Sequence, residues 1–428
     1  MWVSRAATST WREGDWSNLV GWPETVAEDD GRLCWAGRSK LWMSVSDDFY
    51  SFDEEVEGDS APINRTIGGR ASDVQWLLSV GRLIVGTSME CRTVKSSSFD
   101  EPVTRDAISI RNVSDAGSAP VQARRVGTKG FFVDRDLIRP HIVAYDVDIR
   151  DYTTARLDFL AEQIFAGQVK DIAVQTRPHT RIYYLLNDGS LYALLYEPRE
   201  QVQGFHKISA PDATFKAIGV EPTTTSSDNV WAEVEIGGER VIWRMFSEFD
   251  GYKHADDAVE YGSPGSATLT GLTHLNYMVP VGWVDGAPLS STTPIENGSL
   301  TLSTAPTSAV IGRPYSARWK GVKAAYGAQG GTAVGKTKRI QGQSIHGVDI
   351  AIGGIRFGVA TEENEYLRPL HEIINGQSVD PGTVHSQFDP ELDAAPGDLA
   401  TDPRLVLQNI APYPATILNI KFSVETNE

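Results

Sequence analysis

Asp171 to Thr176 (DIAVQT), Arg181 to Leu186 (RIYYLL) and Ser190 to Tyr196 (SLYALLY) are three short runs of aliphatic and aromatic residues, and Asn187-Asp188-Gly189 separates the last two. Runs of this composition bounded by turn residues are strands, and Asn-Asp-Gly supplies the positive-φ positions of a tight hairpin. The stretch therefore predicts a three-stranded antiparallel meander. Comparable meanders open near Val26, Val74, Val121, Lys170 and Phe215, at intervals of 48, 47, 49 and 45 residues. A period in the forties with three or four strands per unit is the signature of a β-propeller blade, which buries its faces only against its neighbours. A β-sandwich with evenly spaced hairpins is the alternative.

The 428 residues suggest two or three domains, and 41 % apolar with 22 % charged residues is ordinary globular composition. The expectation is a mainly β chain: an N-terminal segment (1–25), a propeller-like domain of about five three- to four-stranded units (26–260) and a β-sandwich-like C-terminal domain (261–428). The last contains the alternating runs Ile345, Val348, Ile350, Ile352 and Ile417, Leu418, Ile420, Phe422, joined by a long acidic loop at about 380–403. One short helix is expected where Leu157, Leu160, Ala161 and Ile164 fall at helical spacing, with Thr154 as cap and Gly167 as stop.

No run has the roughly 18 consecutive apolar residues of a membrane helix, and Met1 to Arg5 do not resemble a secretion signal, so a soluble protein without membrane insertion is expected. A net charge of −17 without a Lys/Arg block argues against sequence-specific DNA binding. Cys34 and Cys91, without metal-ligand spacing, read as buried small hydrophobes, a disulfide being the alternative.

Gly330 to Thr337 (GGTAVGKT) satisfies the phosphate-loop pattern letter for letter. That chemistry needs a strand before the loop and a helix after it, so that N–H groups converge on the phosphates. The flanking residues predict neither, and the stretch reads as a hairpin or connecting loop. The eight histidines show no pair at i, i+3 or i+4; Asp146, Asp148 and Asp151 lack the Gly and distal Glu of a calcium loop; there is no Gly-x-Ser-x-Gly elbow. A non-enzyme is expected, with no catalytic, cofactor-binding or metal residue assigned.

With the units laid out, the chain resembles the tail nozzle (tail tubular protein B, tail hub) family of short-tailed, podovirus-type bacteriophages. The residues that carry the likeness begin at Gly21-Trp22-Pro23, Gly31 to Gly37, Leu41 to Ser44 and Asp48 to Asp53. They continue through Gln75-Trp76-Leu77, Leu83 to Thr87, Gly117 to Gln122, Phe131 to Arg135, Asp188 to Leu191, Glu200 to His206, Ile311 to Tyr315 and Gly331 to Lys336. No block is a chemical signature; order and spacing carry the likeness. Longer family members have a sizeable N-terminal region before the first block, where this sequence has about twenty residues.

The resemblance implies a structural virion protein of the viral tail: a homohexamer ring below the adaptor (head-to-tail connector), contacting tail fibres or spikes and forming the distal channel for DNA ejection. Assembly would take place in the host cytoplasm. Six copies would carry about −102 in all, so an acidic or neutral lumen would let genomic DNA slide past without sequence-specific binding. The alternative is a receptor-binding or fibre-attachment propeller of the virion tail, for which Trp11, Trp16, Trp22, Trp35 and Trp42 would offer stacking surfaces.

Overall fold

A computed structural model describes residues 14–19, 21–69, 73–96, 101–246, 254–323, 327–328, 331–332, 335–361, 364–371, 373–374, 377–388, 391–392 and 399–426. The chain forms two compact units, Met1–Met245 and Phe246–Glu428. Both are built from antiparallel strands.

The first unit is a series of five consecutive meanders. The first sheet holds β1 (Thr25–Asp29), β2 (Arg32–Gly37), β3 (Lys40–Met43) and β4 (Ile63–Thr66); the second β5 (Val74–Ser79), β6 (Leu83–Thr87), β7 (Cys91–Lys95) and β8 (Ser109–Ser114). The third holds β9 (Arg124–Val126), β10 (Lys129–Val133), β11 (Pro140–Asp146) and β12 (Asp151–Arg156); the fourth β13 (Val169–Gln175), β14 (Arg181–Leu186), β15 (Leu191–Glu197) and β16 (Val202–Ile208). The fifth has three strands, β17 (Ala213–Glu221), β18 (Asn229–Ile236) and β19 (Glu239–Met245). This is the propeller-like array of about five units that the period implied.

The first strands of successive sheets lie side by side, β1 by β5, β5 by β9, β9 by β13 and β13 by β17. Fourth strands such as β16 lie at the exposed rim. Bulges interrupt β5 after Val74, β13 after Val169 and β17 after Phe215, adding local twist on the inner side of three sheets. Each hydrophobic core of this unit joins two consecutive sheets. Leu41 and Met43 meet Leu77 and Val85; Trp76 meets Phe132; Phe131 and Val133 meet Ile182 and Tyr184; Leu185 and Ala193 meet Phe215 and Ala232. Among the described residues no such core joins the fifth sheet to the first.

The expected helix is absent. Thr154 lies within β12, Leu160 is 94 % exposed, and only Glu162–Phe165 forms a single 3-10 turn without a side-chain cap. Two turns of helix do not offset the cost of nucleation. Arg156 instead holds Asp158 and Glu162 at 3.1 and 2.8 Å, while Phe165 drops into the core against Tyr184 and Phe205. In the second unit Thr273–Leu275 and Ile352–Gly354 are also 3-10 turns.

In the second unit, the strand Asp256–Gly262 pairs with Ser308–Arg313, so residues on both sides of Tyr261 belong to this unit. A four-stranded sheet containing Ile355–Ala360 and Arg404–Ile410 faces a sheet built on Lys338–Val348 and Thr416–Thr426. Ile345, Phe357, Leu407 and Ile420 fill the space between them, the sandwich-like arrangement read from the sequence. The expected acidic loop is tied down at several points: Val384–His385 pairs with Ile350–Ala351, Phe388 bridges Gly347 and is buried, and Ala400 bridges Lys338. Residues 389–390 and 393–398 of that loop lie outside the described residues. Among the described residues no helix is long and apolar enough to cross a membrane.

Candidate functional site

Pairing register sorts the first sheet into two faces. Cys34, Ala36, Leu41 and Met43 face the second sheet, so Trp35, Trp42 and Asn64 point to the opposite side, the end of the array. Trp16, arriving from the N-terminal segment, meets Trp35, Trp42 and Phe52 edge-on at centroid distances of 5.9, 5.9 and 5.6 Å. Edge-to-face packing of this kind aligns a ring's positive edge with its neighbour's negative face. Asp15 fixes the cluster by accepting from Trp42 Nε1 at 3.1 Å and from Asn64 Nδ2. Beside it lies a groove of about 920 Å³, with the acidic run Asp53, Glu54 and Glu55 on its wall and Arg65 and Arg105 among its other lining residues.

Three of the five tryptophans noted in the sequence thus come together. Trp22 stands apart, 58 % exposed with its indole N–H donating to Asn18, and Trp11 lies outside the described residues.

The other end of the array is chemically different. The face of the fifth sheet turned away from the fourth carries Trp231, Glu233, Glu235, Arg240, Ile242 and Arg244. Arg240 pairs with Glu233 at 3.0 Å, Lys216 with Glu235 at 3.4 Å, and Trp231 Nε1 donates to Glu221. Ile242 is 74 % exposed. The array therefore presents an aromatic and acidic face at one end and a laddered charge face at the other. Register, not local sequence, separates them, which is why spacing alone does not reveal the pair.

Among the described residues the phosphate-loop match lacks the long strand before it and the α-helix after it. Gly331-Thr332 pairs with Gly327-Ala328 as a small hairpin, and the strand Lys338–Val348 begins directly after Thr337. Among the described residues no α-helix follows the loop; Gly330, Ala333 and Val334 lie outside the described residues. Asp151, one of three carboxylates weighed for calcium, is ion-paired to Lys95 at 2.5 Å, and Asp146 caps the backbone N–H of Asp148. Cys34 and Cys91 are buried free thiols; burial raises both, Cys91 to about 12.

A feature the sequence reading missed lies in the second unit. His254, Trp283, Tyr315, Trp319 and Tyr413 line a groove of about 690 Å³. Burial lowers His254 and raises Tyr315. Among the described lining residues Asp349 is the one carboxylate, whereas glycoside hydrolysis needs a converging pair. Residues far apart in the chain build this groove, so no local motif announces it.

No family model and no curated protein matches the chain. Among solved structures it is similar to the β-propeller domain of Cps50 (Swd1) from Myceliophteria thermophila, at 11 % identity over 68 % of this chain and 83 % of that one, with a TM-score of 0.34. A luciferin-regenerating enzyme matches at 10 % identity over 53 % and 91 % (TM-score 0.23), and a glycoside hydrolase at 10 % over 93 % and 96 % (TM-score 0.24). Likeness of this degree carries no inference about activity.

Proposed function

We propose that this chain is a non-enzymatic structural subunit of a phage tail nozzle, one wedge of a six-fold ring through which DNA is ejected. The observation that carries the reading is the pair of unlike end faces. Cyclic assembly of identical subunits uses heterologous contacts, in which one patch meets a different patch on the neighbour. The aromatic and acidic face around Trp16 and the charge ladder around Arg240 supply two such patches on one unit. The ordered blocks from Gly21 to Lys336 that resemble the nozzle family support the same reading.

The test is the mass and rotational symmetry of the purified protein, by light scattering and averaged negative-stain images, alone and with the adaptor ring. Six-fold rings with a central channel are expected. A stable trimer, or a monomer that the adaptor fails to organise, overturns the proposal.

A second reading, receptor binding, is favoured by the aromatic groove of the second unit, since exposed rings of Trp and Tyr stack on sugars. It predicts trimers and retention of the protein on host surface glycans, both lost in Trp319→Ala.

A further inference from the structure

The cleft between the second and third sheets differs from the rest of this acidic chain. Four of its ten described lining residues are basic: Arg82 from the turn between β5 and β6, Lys95 from the end of β7, Arg111 from β8, and Arg150 from the turn between β11 and β12. Among the described lining residues Asp106 is the one carboxylate, and Asp151 pairs with Lys95 beside it. The described lining thus carries four cations against one carboxylate. Burial alone would raise Asp151, yet the hydrogen bonds from Lys95 and Tyr152 and the charges of Lys95 and Arg82 hold it below its ordinary range. Direct hydrogen bonds from Lys95 and Tyr152 thus do most of the lowering, and the charges of Lys95 and Arg82 add to it.

A second observation points to a ligand. Ser96 is 7 % exposed and lines the cleft, and its hydroxyl has no hydrogen-bond partner among the described residues. A buried hydroxyl without a partner costs about 1–3 kcal/mol. The oxygen is itself shielded from solvent, so a rotation about χ1 would present the hydroxyl to an acceptor in the cleft. Arg150 is exposed, sits at φ 54° on its turn, and makes no ion pair among the described residues.

We infer that this cleft binds a phosphate or sulfate oxyanion, with Arg82, Arg111 and Arg150 as its cationic walls, Lys95 at its floor and the Ser96 hydroxyl donating to it. Its volume of about 590 Å³ exceeds a bare anion and suits a group carried on a small molecule or a nucleotide-sized piece of backbone. Charge-assisted hydrogen bonds from several arginines are the standard means of holding such groups. The inference does not depend on the nozzle reading.

The experiment is isothermal titration of the full chain with inorganic phosphate and with sulfate, at constant ionic strength set by chloride. Saturable binding is expected, weakened about tenfold or more in Arg111→Gln/Arg150→Gln, whose side chains are exposed and outside the cores, and weakened in Ser96→Ala. Heat indistinguishable from a chloride control, or binding unchanged in the double variant, overturns the site. Glycerol phosphate and a thymidine dinucleotide form the second arm. Preference for the monoester identifies a small phosphorylated ligand, preference for the dinucleotide identifies nucleic-acid backbone, and either keeps the site.

Discussion

The guanidinium of Arg32 donates to the main-chain oxygen of Ala61 at 2.8 Å, joining β2 to a segment 29 residues away. The same buried side chain reaches Ser44 O and Asp59 O, each at 2.7 Å. Residues 44–61 contain no strand, so this fork replaces the missing ladder hydrogen bonds and sets how the stretch returns to β4. Lysine cannot satisfy three carbonyls spread over that geometry. Arg32→Lys is expected to lose about 2–4 kcal/mol in urea unfolding. An unchanged midpoint would show that the segment is held by other contacts.

Phe165 and Leu160 separate the observed turn from the helix that periodicity suggests. Phe165 is fully buried among Tyr184, Tyr192 and Phe205, whereas Leu160 is almost wholly exposed. Phe165→Ala is expected to cost about 3–5 kcal/mol and Leu160→Ala less than about 0.5. A helix with Leu157, Leu160, Ala161 and Ile164 on one face would make both substitutions costly.

The contrast shows what the sequence can carry. Strand β14 is legible residue for residue as Arg181–Leu186, because it is central and apolar on both faces. Strand β16, Val202–Ile208, escapes notice because it lies at the rim with its polar side chains in solvent, which removes the hydrophobic signal. The end faces and the basic cleft are less legible still. Trp16 and Trp42, or Arg82 and Arg150, become neighbours only through pairing between strands and packing between sheets. Four apolar residues at helical spacing misled for the same reason, since tertiary burial of Phe165 outweighed local period.

Two aspartates give opposite pH dependences. Burial raises Asp256 from 3.8 to about 6, with Asp257 adding to the shift and Arg313 opposing it. The folded state then holds this proton more tightly than the unfolded state, so its contribution is present below about pH 4 and lost as pH rises through about 6. Asp256→Asn should stabilise the protein at pH 7 by about 1–2 kcal/mol, after allowance for partial exposure. For Asp228 burial pushes upward, but hydrogen bonds from the Thr176 N–H and hydroxyl and from the N–H groups of Arg177 and Thr223 prevail and lower it. Its contribution is present above the ordinary carboxylate range and lost as pH falls, and Asp228→Asn should cost about 1–3 kcal/mol at pH 7. Equilibrium unfolding of both variants at pH 4 and pH 7 checks the signs.

The end faces make a joint prediction about assembly. Trp16 contributes three edge-to-face contacts within its own subunit, so Trp16→Ala should lower monomer stability by about 1–3 kcal/mol. Arg240 is mostly exposed and among the described residues pairs within its own sheet, so Arg240→Glu should leave monomer stability within about 1 kcal/mol. If the acidic wall Asp53 to Glu55 of one subunit meets the Arg240 and Arg244 face of the next, both variants shift the light-scattering mass from ring to monomer, and Arg240→Glu does so without loss of fold. The salt dependence should follow, because an interface drawn together by opposite charges dissociates as ionic strength rises. If the proposed ring forms and keeps its mass in Arg240→Glu, the subunit contact lies elsewhere.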